Sequence, residues 1–108
     1  MSDSFPDLGR YAEPSLLILI SLSDGPKHGY AIMEDSEAAG GRRIGAGTLY
    51  AALARLERLG LIEALPDDGS RRRPYRLTAV GAVTLKTQLE GMRDLAETGL
   101  GRLTGAEG

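Results

Sequence analysis

The stretch Gly45–Gly81, GAGTLYAALARLERLGLIEALPDDGSRRRPYRLTAVG, decides the fold. Leu49, Leu53 and Leu56 recur at i, i+4 and i+7. They mark the buried stripe of a helix that begins near Gly45 or Ala46 and is closed by Gly60. Leu61–Leu65 and Arg73–Leu77 then read as a two-stranded hairpin around Pro66-Asp67-Asp68-Gly69-Ser70, a run of turn formers. Thr78 is suited to cap the next helix. This order, with basic charge gathered at the hairpin tip, predicts a mostly helical α+β fold, a winged helix-turn-helix. In that arrangement a helix offers base contacts to the major groove and the hairpin grips phosphate or the minor groove beside it.

Upstream, Pro14 fits the first turn of a helix that runs through Ser15–Leu22 and stops at Asp24-Gly25-Pro26. The run is apolar almost all round, which predicts cover on one side by the core and on the other by a partner subunit. Leu16, Leu17, Leu19 and Ile20 are its candidate contribution to such an interface. A second helix is predicted from His28 to about Ala39, closed by Gly40-Gly41. Residues 1–12 are polar and predicted to be loosely held.

Downstream of Thr78, Leu85, Leu89, Met92, Ala96, Leu100 and Leu103 follow one another at steps of three or four. They form a continuous stripe on a helix reaching roughly Leu103, and no other segment remains to cover all of it. A second copy of the chain covers it most simply. Gly91, Gly99 and Gly101 each weaken that helix by roughly 1 kcal/mol, which predicts fraying toward its end. The predicted organisation is thus a winged helix-turn-helix over residues 13–77, expected to bind DNA, and a helix over 78–104, expected to dimerise.

Composition bounds the alternatives. A chain of 108 residues with 42% apolar side chains folds as one domain with a modest core. It has no cysteine, hence neither disulfides nor thiolate metal sites. No signal peptide is recognisable, and the longest apolar run is far short of the ~20 residues that span a bilayer. A cytoplasmic protein without membrane contact is expected. The net charge of −2 conceals a strong polarity. Between Arg42 and Arg76 there are eight arginines against four carboxylates, a local +4, which leaves −6 elsewhere. A basic face on an acidic body can still bind the phosphate backbone, because the local potential decides.

On the third helix, Gly47, Ala51, Ala54, Arg55 and Arg58 face away from the leucine stripe, with Thr48 and Tyr50 on its flanks. Small residues let the helix axis approach a groove, arginine bonds guanine edges or phosphate, and the hydroxyls suit phosphate oxygens. A merely solvated Arg/Glu face is the plainer alternative. For Arg71-Arg72-Arg73 the alternative is an edge device against aggregation. Lys27 and His28 at the second helix, and Arg42 and Arg43 ahead of the third, complete the basic candidates. His28 is the only histidine, and without cysteine or paired carboxylates it supports neither catalysis nor a metal. GGRRIGAGT comes after a helix and lacks Gly-Lys-Ser/Thr, so a nucleotide loop is not indicated. No cofactor is expected.

LLILISLSDGPKHGYAIMEDSE, GAGTLYAALARLERLGLIE and RRRPYRLTAVG together resemble the PadR family of bacterial transcriptional regulators, from about Leu16 to Gly81. The resemblance implies a homodimeric winged-helix DNA-binding protein, usually a repressor, that pairs through its C-terminal helix; a two-fold dimer is in turn expected to bind a palindromic operator. It places Tyr30, Gly47, Thr48 and Tyr50 in DNA-facing elements and Arg71–Arg73 in the wing. Alanine stands at Ala46 and Ala51, where the family often has proline. Some members bind aromatic molecules at the dimer interface. With no Trp, Phe5 and four tyrosines, this chain cannot stack a planar ligand between indoles, and any effector is left unspecified. Two rivals stand beside this reading. A protein-binding winged helix would have a neutral wing and an apolar exposed helix face, and an enzyme would need a nucleophile–base set or metal cluster. The residues supply neither pattern.

Overall fold

In the computed structural model, which describes residues 13–39, 43–67, 69 and 72–107, helices α1 (Glu13–Leu22), α2 (Gly29–Ala38) and α3 (Ala46–Arg58) precede a hairpin, β1 (Ile62–Ala64) and β2 (Tyr75–Leu77), and a long helix, α4 (Ala79–Glu107). Ile18, Leu22, Ile32, Ile44, Leu49, Leu53, Leu56 and Ile62 are buried together. The stripe of α3 read from the sequence is therefore the centre of the core, widened by Ala52.

The apolar circumference of α1 has a different explanation from the one predicted. This helix sits in the middle, packed against α2, α3, α4 and β2. Leu16 and Leu19, expected at a subunit interface, are buried in the protomer's own core, as is Leu85 of α4. Leu17 and Ile20 are partly buried against the same core. A helix surrounded by its own domain needs no polar face.

α3 ends in a Schellman turn. Gly60 takes φ 79°, its amide bonds the Glu57 carbonyl, and the Leu61 amide reaches back to the Leu56 carbonyl, each at 3.0 Å. The turn is also the seat for α4. Thr78 accepts the Gly81 amide at 2.9 Å on its hydroxyl, an N-cap, and donates that hydroxyl to the Gly60 carbonyl at 2.7 Å. Helix and turn come so close at Gly81 that a Cβ there would run into the Leu61 carbonyl and lie 2.9 Å from Leu77 Cδ1. Because the obstacle is backbone, Gly81→Ala should cost about 1–3 kcal/mol. For a chain of this size that is a drop of at least ~4 °C in Tm, readable by thermal denaturation. An unchanged Tm would mean that α4 is not seated on this turn.

The strands are antiparallel, with Ile62 opposite Leu77, Glu63 opposite Arg76 and Ala64 opposite Tyr75. The ladder is shorter than predicted. Among the described residues one more bond, Leu65 N–H to the Pro74 carbonyl at 2.8 Å, extends it, and Pro66 and Pro74 have no N–H to continue. A feature absent from the sequence reading lies at the other edge of β2. Lys27 and Tyr75 exchange both backbone hydrogen bonds, at 3.1 and 2.9 Å, which ties the α1–α2 turn to the hairpin as a one-residue third strand.

α2 is a residue shorter at each end than predicted, with His28 as its N-cap. Its predicted glycine stop, Gly40-Gly41, lies outside the described residues. α4 is longer than predicted and stays helical through Gly91, Gly99 and Gly101 to Glu107. Each glycine costs only roughly 1 kcal/mol, and no proline interrupts the helix. From Lys86 to Gly105 every described side chain of α4 is exposed, so the helix projects from the body and gives the molecule its 60 Å long dimension. None of the helices among the described residues is long and apolar enough to cross a membrane.

Candidate nucleic-acid interface

The N-terminal end of α2, the first turns of α3 and the C-terminal side of the hairpin enclose an open groove of about 480 Å³. His28, Gly29, Tyr30 and Met33 come from α2 and its cap, Ala46 and Tyr50 from α3, and Arg72, Arg73 and Tyr75 from the wing. Segments far apart in sequence thus place three phenols, an imidazole and two guanidinium groups around one concavity. Tyr30 and Tyr50 are half exposed, at 50% and 52%. Both phenols are therefore open to a ligand that enters the groove.

The local folding that builds the groove arises from the sequence. α3 starts at Gly45, an N-cap without a side-chain hydrogen bond, so its first amides are open to an external acceptor. Gly47, Thr48, Ala51 and Ala54 are exposed on α3, leaving a slim helical face beside the groove. Pro74 fixes the chain between the wing arginines and β2, and the alternation along β2 leaves Tyr75 and Leu77 half-buried while Arg76 is exposed. Burial, and next the Glu57 carboxylate, push the Tyr75 phenol above its ordinary pKa of 10. It is therefore a neutral hydrogen-bond donor throughout the physiological range.

Not every basic candidate joins this cluster. The Lys27 ammonium turns inward to the Ser21 carbonyl at the end of α1 and to the Asp24 carboxylate, and it is only 19% exposed. Lys27 clamps the α1–α2 turn, and its hydrogen bond with its charge holds the Asp24 carboxyl below the usual range. Arg43 pairs with Glu37 at 2.9 Å, and Arg76 pairs with Glu63 across the hairpin. Arg55 donates to the Ser15 hydroxyl of α1. It lines a second concavity, between α1, α3 and α4, with Leu16, Leu19, Leu59 and Met92. The structure thus sets Arg55 on the α4 side of α3, apart from Tyr50 and the wing. Arg42 and Arg71 lie outside the described residues.

Tyr75 and Gly29 are groove residues the sequence reading did not select. Tyr75 had one available signal, its place two residues beyond the arginine run in a strand of alternating exposure. Gly29 had none, because its role depends on which side chain of α3 crosses it. Among the described residues no cluster of His, Cys, Asp or Glu could hold a metal ion.

A two-stranded wing beside an exposed helix, with two further helices behind it, defines a winged helix-turn-helix protein. Residues 18–87 match the transcriptional regulator PadR-like family, and the chain belongs to that family. It is 38% identical over 88 residues to the transcriptional regulator Rv3488 of Mycobacterium tuberculosis, covering 80% of this chain and 81% of that one. It is 42% identical over 87 residues to a 37.1 kDa protein in a transposon of Streptomyces fradiae. That match covers 81% of this chain but a quarter (25%) of the longer protein. A transcriptional regulator from Clostridium thermocellum superposes with a TM-score of 0.74 at 30% identity, over 89% of this chain and 93% of that one. The family is one of transcriptional regulators.

Proposed function

We propose that this chain is a homodimeric, cytoplasmic, sequence-specific DNA-binding repressor that grips a palindromic operator with α3 and the wing. The observation that carries the proposal is the convergence of Tyr30, Tyr50, Tyr75, Arg72 and Arg73 on one groove beside the slim exposed face of α3. Guanidinium groups and phenol donors are the groups that hold phosphate oxygens. Gly47, Thr48 and Ala51 let the backbone of α3 sit deep in a major groove about 12 Å wide, which admits a helix with little to spare. Arg72 and Arg73 reach the flanking backbone. Membership of a family of transcriptional regulators supports the same reading, and a bound dimer represses by occupying DNA that polymerase needs.

Pairing through α4 is supported by what that helix leaves open. Leu95, Leu100 and Leu103 are 74%, 65% and 66% exposed; Leu100 and Leu103 continue the stripe of Leu89, Met92 and Ala96, with Leu95 on its flank, and clustered exposed apolar side chains mark interaction sites. Leu89 and Met92 open onto grooves on opposite flanks of the helix. Since Leu16, Leu19 and Leu85 are already buried within the protomer, the proposed interface rests on Leu89, Met92, Ala96, Leu100 and Leu103, with Leu95 added and Leu17 and Ile20 at its edge.

Fluorescence anisotropy of a labelled duplex tests the grip itself. The wild-type protein should bind at 50 mM salt, two chains per site, and weaken as salt rises. Tyr50→Phe, which leaves the core intact, should bind about tenfold or more weakly, the loss of one hydrogen bond to a charged group. No binding to any duplex at low salt would overturn the proposal.

A further inference from the structure

Gly29 and Tyr50 meet across the gap between α2 and α3. A Cβ on Gly29 would lie 2.6 Å from the Tyr50 hydroxyl oxygen, 3.1 Å from its Cζ and 3.3 Å from Leu49 Cδ2. The ring of Tyr50 therefore occupies the space that any other residue at position 29 would fill. Gly29 begins α2 in a conformation without positive φ, so the backbone alone does not require glycine there. The neighbour does.

We infer that Gly29 is a positioning residue for DNA binding. By lacking a side chain, it lets the Tyr50 phenol lie against the start of α2 with its hydroxyl in the groove shared with Tyr30, Arg72, Arg73 and Tyr75. The inference rests on the reading of that groove as a phosphate grip. Its physical content lies in which atom would move. At Gly81 the obstacle to a Cβ is a backbone carbonyl, and the fold must give way. At Gly29 the closest obstacle is the tip of a half-exposed side chain, which can swing out toward solvent by rotating about χ1. Leu49 needs to yield only a few tenths of an ångström. Gly29→Ala therefore keeps the fold and removes the Tyr50 hydroxyl from its place, the reverse of what a packing glycine does. A donor displaced by even ~1 Å no longer meets a phosphate oxygen at hydrogen-bond distance.

The test is a double-mutant cycle on duplex affinity with Gly29→Ala, Tyr50→Phe and the two combined, each with its Tm. Gly29→Ala should melt close to the wild type yet bind about tenfold more weakly, matching Tyr50→Phe. The combined variant should bind no more weakly than either alone, since one hydroxyl can be lost only once. A glycine needed merely for packing would show losses that multiply, to about a hundredfold, and that result overturns the positioning role. So does a Gly29→Ala protein that binds as the wild type does. If Gly29→Ala does not fold, Gly29→Ala with Tyr50→Ala removes the clash. Recovery of the Tyr50→Ala melting temperature then supports the contact, and continued unfolding overturns it. Failure of the wild-type protein to bind DNA at low salt overturns the underlying groove reading as well, and is distinguished from the other outcomes by the wild-type arm alone.

Discussion

Replacing Arg72 and Arg73 together with alanine is expected to weaken binding to every DNA sequence and to make affinity far less sensitive to salt. Both side chains are exposed and border the groove. A dimer presents two copies of each, and four neutralised phosphates account for a slope of roughly 3 to 4 in the logarithm of affinity against the logarithm of salt. Between 50 and 200 mM salt that is about a hundredfold of the wild type's loss of affinity, which the double variant should not show. The fold should be unaffected, because neither residue belongs to the core. A slope equal to that of the wild type would move the phosphate contacts off the wing.

The second large effect is expected from α4. Leu89→Glu with Met92→Glu puts two charges into the apolar surface midway along the projecting helix. Sedimentation of the wild-type chain at micromolar concentration should show a dimer, and the variant should sediment as a monomer. Leu89 and Met92 are 38% and 43% exposed in the protomer, so their replacement costs the isolated fold little compared with a fully buried site. With every groove residue intact, operator affinity should nevertheless fall about 10²- to 10⁴-fold, the advantage that a linked second half-site confers. A well-folded wild-type monomer at that concentration would remove the basis for the dimer and for a palindromic operator.

Much of this molecule was legible in its sequence, for physical reasons that differ from element to element. α3 was readable because Leu49, Leu53 and Leu56 leave one choice of face, and Gly60 stops the helix as its positive φ requires. The start of α4 was readable because the Thr78 hydroxyl can cap only a helix that begins just after it. The hairpin was placed correctly but drawn too long, since the prolines at 66 and 74 end the ladder from within the turn. The role of α1 was misjudged. An apolar circumference says that a helix is covered, not by whom, and here its own domain covers most of it. The basic residues were the least legible part. Arginine and lysine carry their charge at the end of long flexible stems, so a charge count along the chain cannot show that Lys27 turns in to Ser21 and Asp24, or that Arg55 turns to Ser15. Tyr30 and Tyr50, with fewer rotatable bonds, stay where their helices put them, and the structure brings both to one groove with Tyr75.

Enrichment of a random duplex library on the purified protein at about 100 mM salt tests the central claim most directly. The expected result is a single pseudo-palindromic motif whose half-sites are centred about one helical turn apart, ~34–36 Å, or a small multiple of it. The same selection with the Arg72→Ala/Arg73→Ala protein should recover little. A library that emerges unenriched, or enriched equally by the wing variant, would contradict the account of this chain as a dimer that reads DNA with α3 and holds it with the wing.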